Sequence, residues 1–336
     1  MSDSSPPAGV ADAAPDVPPS PPPSPPPAPG PDALKAQRVI PLRHPGRWIA
    51  TLVVLVVVAQ LIHGLATNPF FEWDRFRYWF LRPVILDGLL VTLKVTAWSA
   101  LFGLLGGVVL ALCRLSRSPV LRTVAWVYIW LFRSVPLIVV LLFMYNFSAL
   151  YATLSVGVPF GPGFAHFDES KLATEMVVAV VGLSLNEAAY AAEVVRAGVL
   201  SVDQGQHEAA AALGLPRGYQ FTRIVFPQAL RAIVPSYVNQ LIGLIKGTSL
   251  VFYVSLLDLF GKAQTMASTY PSDIVPLLLV ITAWYVILTS VVSVVQFYVE
   301  RYYSRGALRT MPPTPLQKLR AGLSGVRGRI AIGAAG

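Results

Sequence analysis

The chain has 336 residues, 54% of them apolar and only 13% charged, with a mean hydropathy of +0.60. A soluble globular domain carries about 25% charged residues, so the balance predicts a membrane protein. The formal net charge of +9 does not argue for nucleic acid, because the basic residues fall between apolar runs and in the tail, as membrane topology requires. Cys113 is the single cysteine, which excludes a disulfide framework and a cysteine-based metal cluster.

Residues 1–47 hold 15 of the 29 prolines, including PPSPPPSPPPAPGP. Proline fixes φ and lacks a backbone donor, so this segment reads as a disordered, partly polyproline-like cytoplasmic tail. A plain spacer is the simpler reading than a ligand for SH3-type modules. The first long apolar run starts near Trp48 behind this tail, so it reads as a retained anchor rather than a cleaved signal.

A span needs roughly 20 apolar residues, and six candidates follow: 48–66, 85–112, 123–148, 173–196, 234–261 and 274–299. With the N-terminus inside, the inner segments hold 18 Lys and Arg and the outer segments 5. That asymmetry predicts both termini in the cytoplasm. The loop after the first span, NPFFEWDRFRYWF, is rich in aromatics and predicts a short amphipathic helix along the outer interface.

Between the fourth and fifth spans lies GQHEAAAALGLPRGYQFTRIVFPQAL, on the cytoplasmic side by the charge count. Ser201 with Gln204 forms a capping-box pattern. Gln206 to Leu213 is a strong helix former, and Glu208 near its start suits the positive end of the helix dipole. Gly214 is placed as a left-handed terminator and Pro216 blocks continuation. Tyr219 to Phe226 then forms an amphipathic return toward Pro227. A helix that only caps the bundle would not need so many small apolar residues in water; a slim alanine flank suits docking in another protein's groove.

Charges within spans cost about 2.5–3.5 kcal/mol on insertion scales and mark functional candidates. Lys94, Glu187 and Lys246 fall at one depth in spans two, four and five, which predicts a shared polar cavity with Asn186, Thr248 and Ser249 nearby. Structural ion pairing is the competing reading of the same charges. Arg133 and Glu193 lie nearer the cytoplasm, where snorkelling is possible. Gly103, Gly106, Gly107 and Gly182 predict close helix packing. His63, His166 and His207 are scattered, with no metal-ligand spacing.

Glu208-Ala209-Ala210, Gly214 six residues after the glutamate, Ile224 ten further and Pro227 three beyond that resemble the EAA loop of ABC importer permeases. Phe226 stands where a leucine is usual. LNEAAYAAEVVRAGVLSVDQGQHEAA (185–210), LFRSVPLIVVLLFMY (131–145), LLVTLKVT (89–96) and LIKGTSLVFYVSLLDL (244–259) are similar to the polar amino-acid branch of that family. The similarity covers about 81–303, with the coupling loop at about 201–230. The tail, the extra anchor with its outer interfacial segment (48–80) and the basic tail 304–336 lie outside it.

The resemblance implies an all-α, multi-pass protein of a bacterial inner membrane, with a type I importer-like core preceded by an extra span. It implies a second permease, identical or sister, a cytoplasmic ATPase dimer carrying ATP and Mg, a solute-binding protein outside, membrane lipids around it and an amino-acid substrate. The loop becomes a coupling helix, with Glu208, Ala209, Ala210, Leu213, Gly214 and Leu215 meeting the ATPase. The chain has no G-x-x-x-x-G-K-[ST] phosphate loop, so it is not expected to hydrolyse ATP or bind a cofactor itself. Glu187 stands in a run more often Asn-Ser-Ala-Ala-Tyr, and Gly247 where Asp is frequent. An ion-gradient-driven secondary transporter would also explain intramembrane charges, but would require inverted repeats and broken spans. A membrane enzyme finds no nucleophile or acid–base cluster, and a scaffold reading would rest on the Pro-rich tail alone.

Overall fold

A computed structural model describes residues 45–147, 153–157, 163–168 and 174–303. The readings of a Pro-rich tail over 1–44 and a basic tail over 304–336 lie outside the described residues. Contact clustering divides the chain at Gly64. The first unit contains most of helix α1 (Pro45–Thr67), whose apolar side chains such as Leu52, Leu55 and Leu61 are exposed. That is the surface a lipid-facing span needs.

The second unit begins with a 3-10 turn capped by Asn68, whose side chain accepts from the Phe70 amide at 3.0 Å. Helix α2 (Trp73–Phe80) follows as the short aromatic helix the sequence predicts. Trp79 is buried and donates from Nε1 to Asp273 at 2.8 Å, while Arg75 Nε reaches the other oxygen of the same carboxylate at 2.8 Å. That hydrogen bond, ahead of the opposing desolvation and the added charge attraction, raises the Arg75 pKa above its ordinary value. Phe80 stacks on Trp284, whose Nε1 donates to the Phe80 carbonyl at 3.0 Å.

Helix α3 (Pro83–Leu115) and helix α4 (Pro119–Ser134) both open on a proline, where the missing amide would be unpaired anyway. On α3 the buried positions include Ile85, Gly88, Thr92, Val95, Ser99, Gly103, Gly107 and Ala111. This i, i+3, i+4 stripe of mostly small residues meets the small residues of helix α6 (Glu175–Leu200), among them Ala188, Ala191 and Ala192. The two form the most extensive helix pair in the bundle. A Cβ on Gly107 would stand 2.5 Å from Ala191 Cβ. Lipid tails are as apolar as leucine, so close packing of small residues holds such helices together rather than water exclusion.

Two of the six predicted spans are broken. Pro136 ends α4: Val135 before it is extended (φ −85°, ψ 130°), as a residue preceding proline must be. The chain turns by 102° into helix α5 (Leu137–Tyr145). An antiparallel hairpin, β1 (Thr153–Gly157) with β2 (Gly163–Asp168), lies between α5 and α6. It is a small addition to an otherwise helical protein that the sequence reading did not foresee.

After α6 come helix α7 (Gln204–Ala212), helix α8 (Arg217–Gln220), a π-helical segment over Phe221–Val225, and helix α9 (Phe226–Gly247). The π segment leads directly into Pro227. The Phe226 amide bonds five residues back to the Phe221 carbonyl, and this widened turn takes the proline ring without a break. The second broken span runs from Arg217 to Val254 and bends by 49° into helix α10 (Leu259–Thr269). Ser255 takes a left-handed φ of 65° at that break. Asp258 caps α10 by accepting from the Gly261 amide at 2.9 Å, and its buried carboxylate also meets Thr92 and Tyr285, both at 3.3 Å. Helix α11 (Ile274–Tyr303) closes the unit.

Among the described residues four helices are long and apolar enough to cross a membrane, and up to six spans result if each bent pair counts as one. The core is stacked along α3 in three clusters: Ile85 with Leu259 and Leu277 at the α2 end, Val95 with Leu141, Leu183 and Val251 in the middle, and Ala111 with Val195 and Ile233 at the α7 end.

Candidate functional site

A cavity of about 690 Å³ opens where the two broken spans meet α6. Ser134, Val135, Pro136 and Leu137 at the first break form one wall; Gly243, Lys246 and Gly247 at the end of α9 form another. Irregular backbone is tolerated at membrane depth only where protein or a cavity covers it, and this cavity borders the first break.

Glu187 lies in this cavity and is buried, 5% exposed. Gln240 Nε2 donates to its Oε1 at 2.9 Å, and no ion pair holds it among the described residues. Gly103 is what admits it: a Cβ there would stand 2.5 Å from Glu187 Cγ and 2.6 Å from its Cβ. Asn186 also lines the cavity, and its amide has a second duty. Pro136 cannot donate to the Phe132 carbonyl four residues back, and Asn186 Nδ2 supplies that donor at 2.9 Å. Lys246 lines the cavity from an exposed position.

The expected shared cavity therefore gathers Asn186, Glu187 and Lys246, but not the other three. Lys94 has the right depth and the wrong azimuth: Thr92 and Val95 carry the buried face of α3, and Lys94 sits on its exposed face. Thr248 is buried and donates to the Ile245 carbonyl at 2.7 Å, and Ser249 donates to the Lys246 carbonyl at 2.8 Å. Neither lines the cavity, because the chain has passed into a 3-10 turn at Thr248. The sequence reading missed Asn239, Gln240 and Tyr190 and set Arg133 aside as a snorkelling charge; all four line the cavity. The available signal was the spacing of Asn239, Gly243 and Lys246, which share one face of α9 at i, i+4 and i+7.

At the predicted coupling loop, α7 starts from a cap two residues later than the capping-box pattern places it. Ser201 closes α6, its hydroxyl donating to the Gly198 carbonyl at 2.8 Å. Asp203 caps α7 instead, accepting from the Gly205 amide at 2.7 Å. Gly214 adopts φ +66° as a left-handed terminator. The Leu215 amide bonds to the Ala210 carbonyl and the Gly214 amide to the Ala211 carbonyl, at 3.2 and 3.0 Å, which is the Schellman closure of a helix. Ala210 is buried against the bundle, while Glu208 and Ala209 are exposed, Leu213 is 76% exposed and Leu215 half-buried.

Broken spans around a polar cavity, with a short capped helix at one end of the bundle, are the features of a membrane transport protein. Residues 103–305 match the family described as binding-protein-dependent transport system inner membrane component, and the chain belongs to that family. It is similar to the arginine transport system permease protein ArgU of Corynebacterium glutamicum, 37% identical over 309 residues, covering 90% of this chain and 96% of the relative. The uncovered tenth is shorter than the Pro-rich tail, so that similarity runs through α1. The glutamate/aspartate import permease protein GltK of Escherichia coli is 35% identical over 65% of this chain and 93% of its own. A solved structure described as an amino acid ABC transporter with histidines is 30% identical, with a TM-score of 0.57 over 66% of this chain and 94% of the other. The chain is thus a multi-pass permease subunit of an ABC importer and not itself the catalytic subunit. Its broken spans do not make it an ion-gradient-driven carrier.

Proposed function

We propose that this permease passes a cationic polar amino acid of the arginine type through the cavity around Glu187. The observation that carries this reading is the buried Glu187 carboxylate, which faces the cavity with Gln240 as its hydrogen-bond donor and no cation paired to it among the described residues. A buried acid of this kind needs a counter-charge, and a substrate ammonium or guanidinium supplies one. Lys246 and Arg133, which also line the cavity, suit the α-carboxylate. The arginine permeases of Corynebacterium glutamicum and Bacillus subtilis among its relatives, 37% and 38% identical, support the cationic class; the glutamate/aspartate relative shows that family membership alone does not set it.

In this reading α7 is the coupling helix. Glu208, Ala209, Leu213 and the Gly214 terminator present it to a cytoplasmic ATPase dimer, with Ala210 and Leu215 seating it on the bundle. ATP and Mg belong to that ATPase, a second permease completes the pathway, and a solute-binding protein delivers substrate from outside. Both termini lie in the cytoplasm, and α1 is an anchor added to the core. The test is ATP-driven uptake of labelled arginine by the complex reconstituted in vesicles. Glu187→Gln keeps the hydrogen-bonding shape and removes the charge, and arginine uptake is expected to fall about tenfold or more, the scale of one lost charge-assisted contact. Unchanged uptake in that variant would reject Glu187 as a substrate contact.

A further inference from the structure

A second cavity, about 460 Å³, opens at the end of the bundle that carries α7. Arg114 comes to it from the last turn of α3, Trp126, Trp130 and Arg133 from one face of α4, and Tyr190 and Glu193 from α6. Side chains lean toward the N-terminus of their own helix. Arg114, at the end of α3, therefore leans into the bundle rather than out of it. Arg133, near the far end of α4, leans back toward the start of that helix. Arg114 and Arg133 both line this one space.

Nothing on the walls neutralises them. The Glu193 carboxylate is held by Arg196 at 2.8 and 3.1 Å. Arg133 lies over the Tyr190 ring, 5.3 Å from its centroid. Arg114 Nε is buried with no acceptor among the described residues, and an unpaired buried donor on a charged group is costly. What is missing is an anionic acceptor, and a planar guanidinium matches phosphate oxygens two at a time. Beside the two arginines, Trp126 and Trp130 stack at 6.3 Å and 14°, both about half exposed. An isolated phosphate makes no use of that apolar platform, whereas a molecule with both a phosphate and an acyl chain does. Basic pockets between helices suit anionic headgroups.

We propose that this cavity binds an anionic phospholipid, with its phosphate on Arg114 and Arg133 and an acyl chain along Trp126 and Trp130. Arg133 and Tyr190 line both cavities, but the test reads lipid retention rather than uptake, so its failure leaves the transport reading untouched. The test is native mass spectrometry of the full chain in detergent, given equal phosphatidylglycerol and phosphatidylcholine. The expected result is about tenfold preferential retention of phosphatidylglycerol, the scale of one charge-assisted contact. Arg114→Gln is expected to abolish the preference and Arg114→Lys to keep most of it, with unchanged melting temperature. Trp126→Ala with Trp130→Ala is expected to weaken retention of both lipids. Equal retention of the two lipids by the wild-type chain would overturn the proposal, even if the variants fail to fold. Displacement of phosphatidylglycerol by excess inorganic phosphate would also overturn it, in favour of a site for the free anion.

Discussion

Adding one methyl group at Gly103 and, separately, at Gly107 distinguishes packing from function on the same helix face. Carbon atoms rest at about 3.5–4.0 Å. A Cβ on Gly107 would lie 2.5 Å from Ala191 Cβ and 3.0 Å from two backbone atoms of α6, so helix α6 itself must give way. Overpacking of this kind costs about 1–3 kcal/mol, against a gain of up to about 1 kcal/mol in helix propensity. Gly107→Ala is thus expected to lose about 1–2 kcal/mol of stability and leave transport per folded molecule intact. At Gly103 the collision is with Glu187 Cβ and Cγ, while the nearest α6 backbone atom is 3.5 Å away. A new rotamer moves Cγ at about 0.5–1.5 kcal/mol but leaves Cβ in place, so helix α6 must also shift, and the glutamate's bond from Gln240 goes with it. Gly103→Ala is expected to lower arginine uptake about tenfold at a stability loss like that of Gly107→Ala. The readouts are the melting temperature of the purified chain and ATP-driven uptake normalised to folded protein. Gly107→Ala melting at or above wild type would refute the close α3–α6 packing. Equal uptake by the two variants would refute the claim that the position of Glu187 matters.

Three other variants probe the rest of the account. Gly214→Asp puts a side chain on a left-handed residue and Glu208→Lys reverses the charge at the first turns of α7; both are expected to abolish ATP-coupled uptake while membrane insertion, read by fractionation, stays near wild type. Asn186→Leu leaves the Phe132 carbonyl without its donor and is expected to cost about 1–3 kcal/mol, visible as a lower melting temperature even before transport is measured.

Much of this architecture is legible in the chain because a bilayer imposes a simple rule: apolar runs of sufficient length become spans. The small-residue stripe on α3 and the Gly214 stop on α7 were legible for a similar reason, since each needs the only residue types that fit. What the sequence obscures is azimuth. Lys94, Glu187 and Lys246 share a depth, but one residue's rotation is 100°, and only α6 and α9 turn their charges to the cavity. The breaks were hidden inside long apolar runs, although Pro136 marks the first, and its consequence, the recruitment of Asn186, depends on a neighbouring helix. The start of α7 was misplaced because Ser201 with Gln204 fits a capping box, whereas Ser201 is consumed in closing α6 and Asp203 takes the cap.

The claim at the centre of the account is that substrate passes through the cavity beside Glu187, and the single cysteine makes it accessible to a direct measurement. In a Cys113→Ser background, Gly243→Cys places a thiol on the cavity wall, where an added Cβ has open space within 4 Å. Lys94→Cys places one at similar depth outside it. Labelling by a small charged thiol reagent is measured in the reconstituted, ATP-supplied complex with and without arginine and its binding protein. The account predicts that substrate slows labelling at position 243 and leaves position 94 unchanged. Equal labelling of position 243 with and without transported substrate would contradict it.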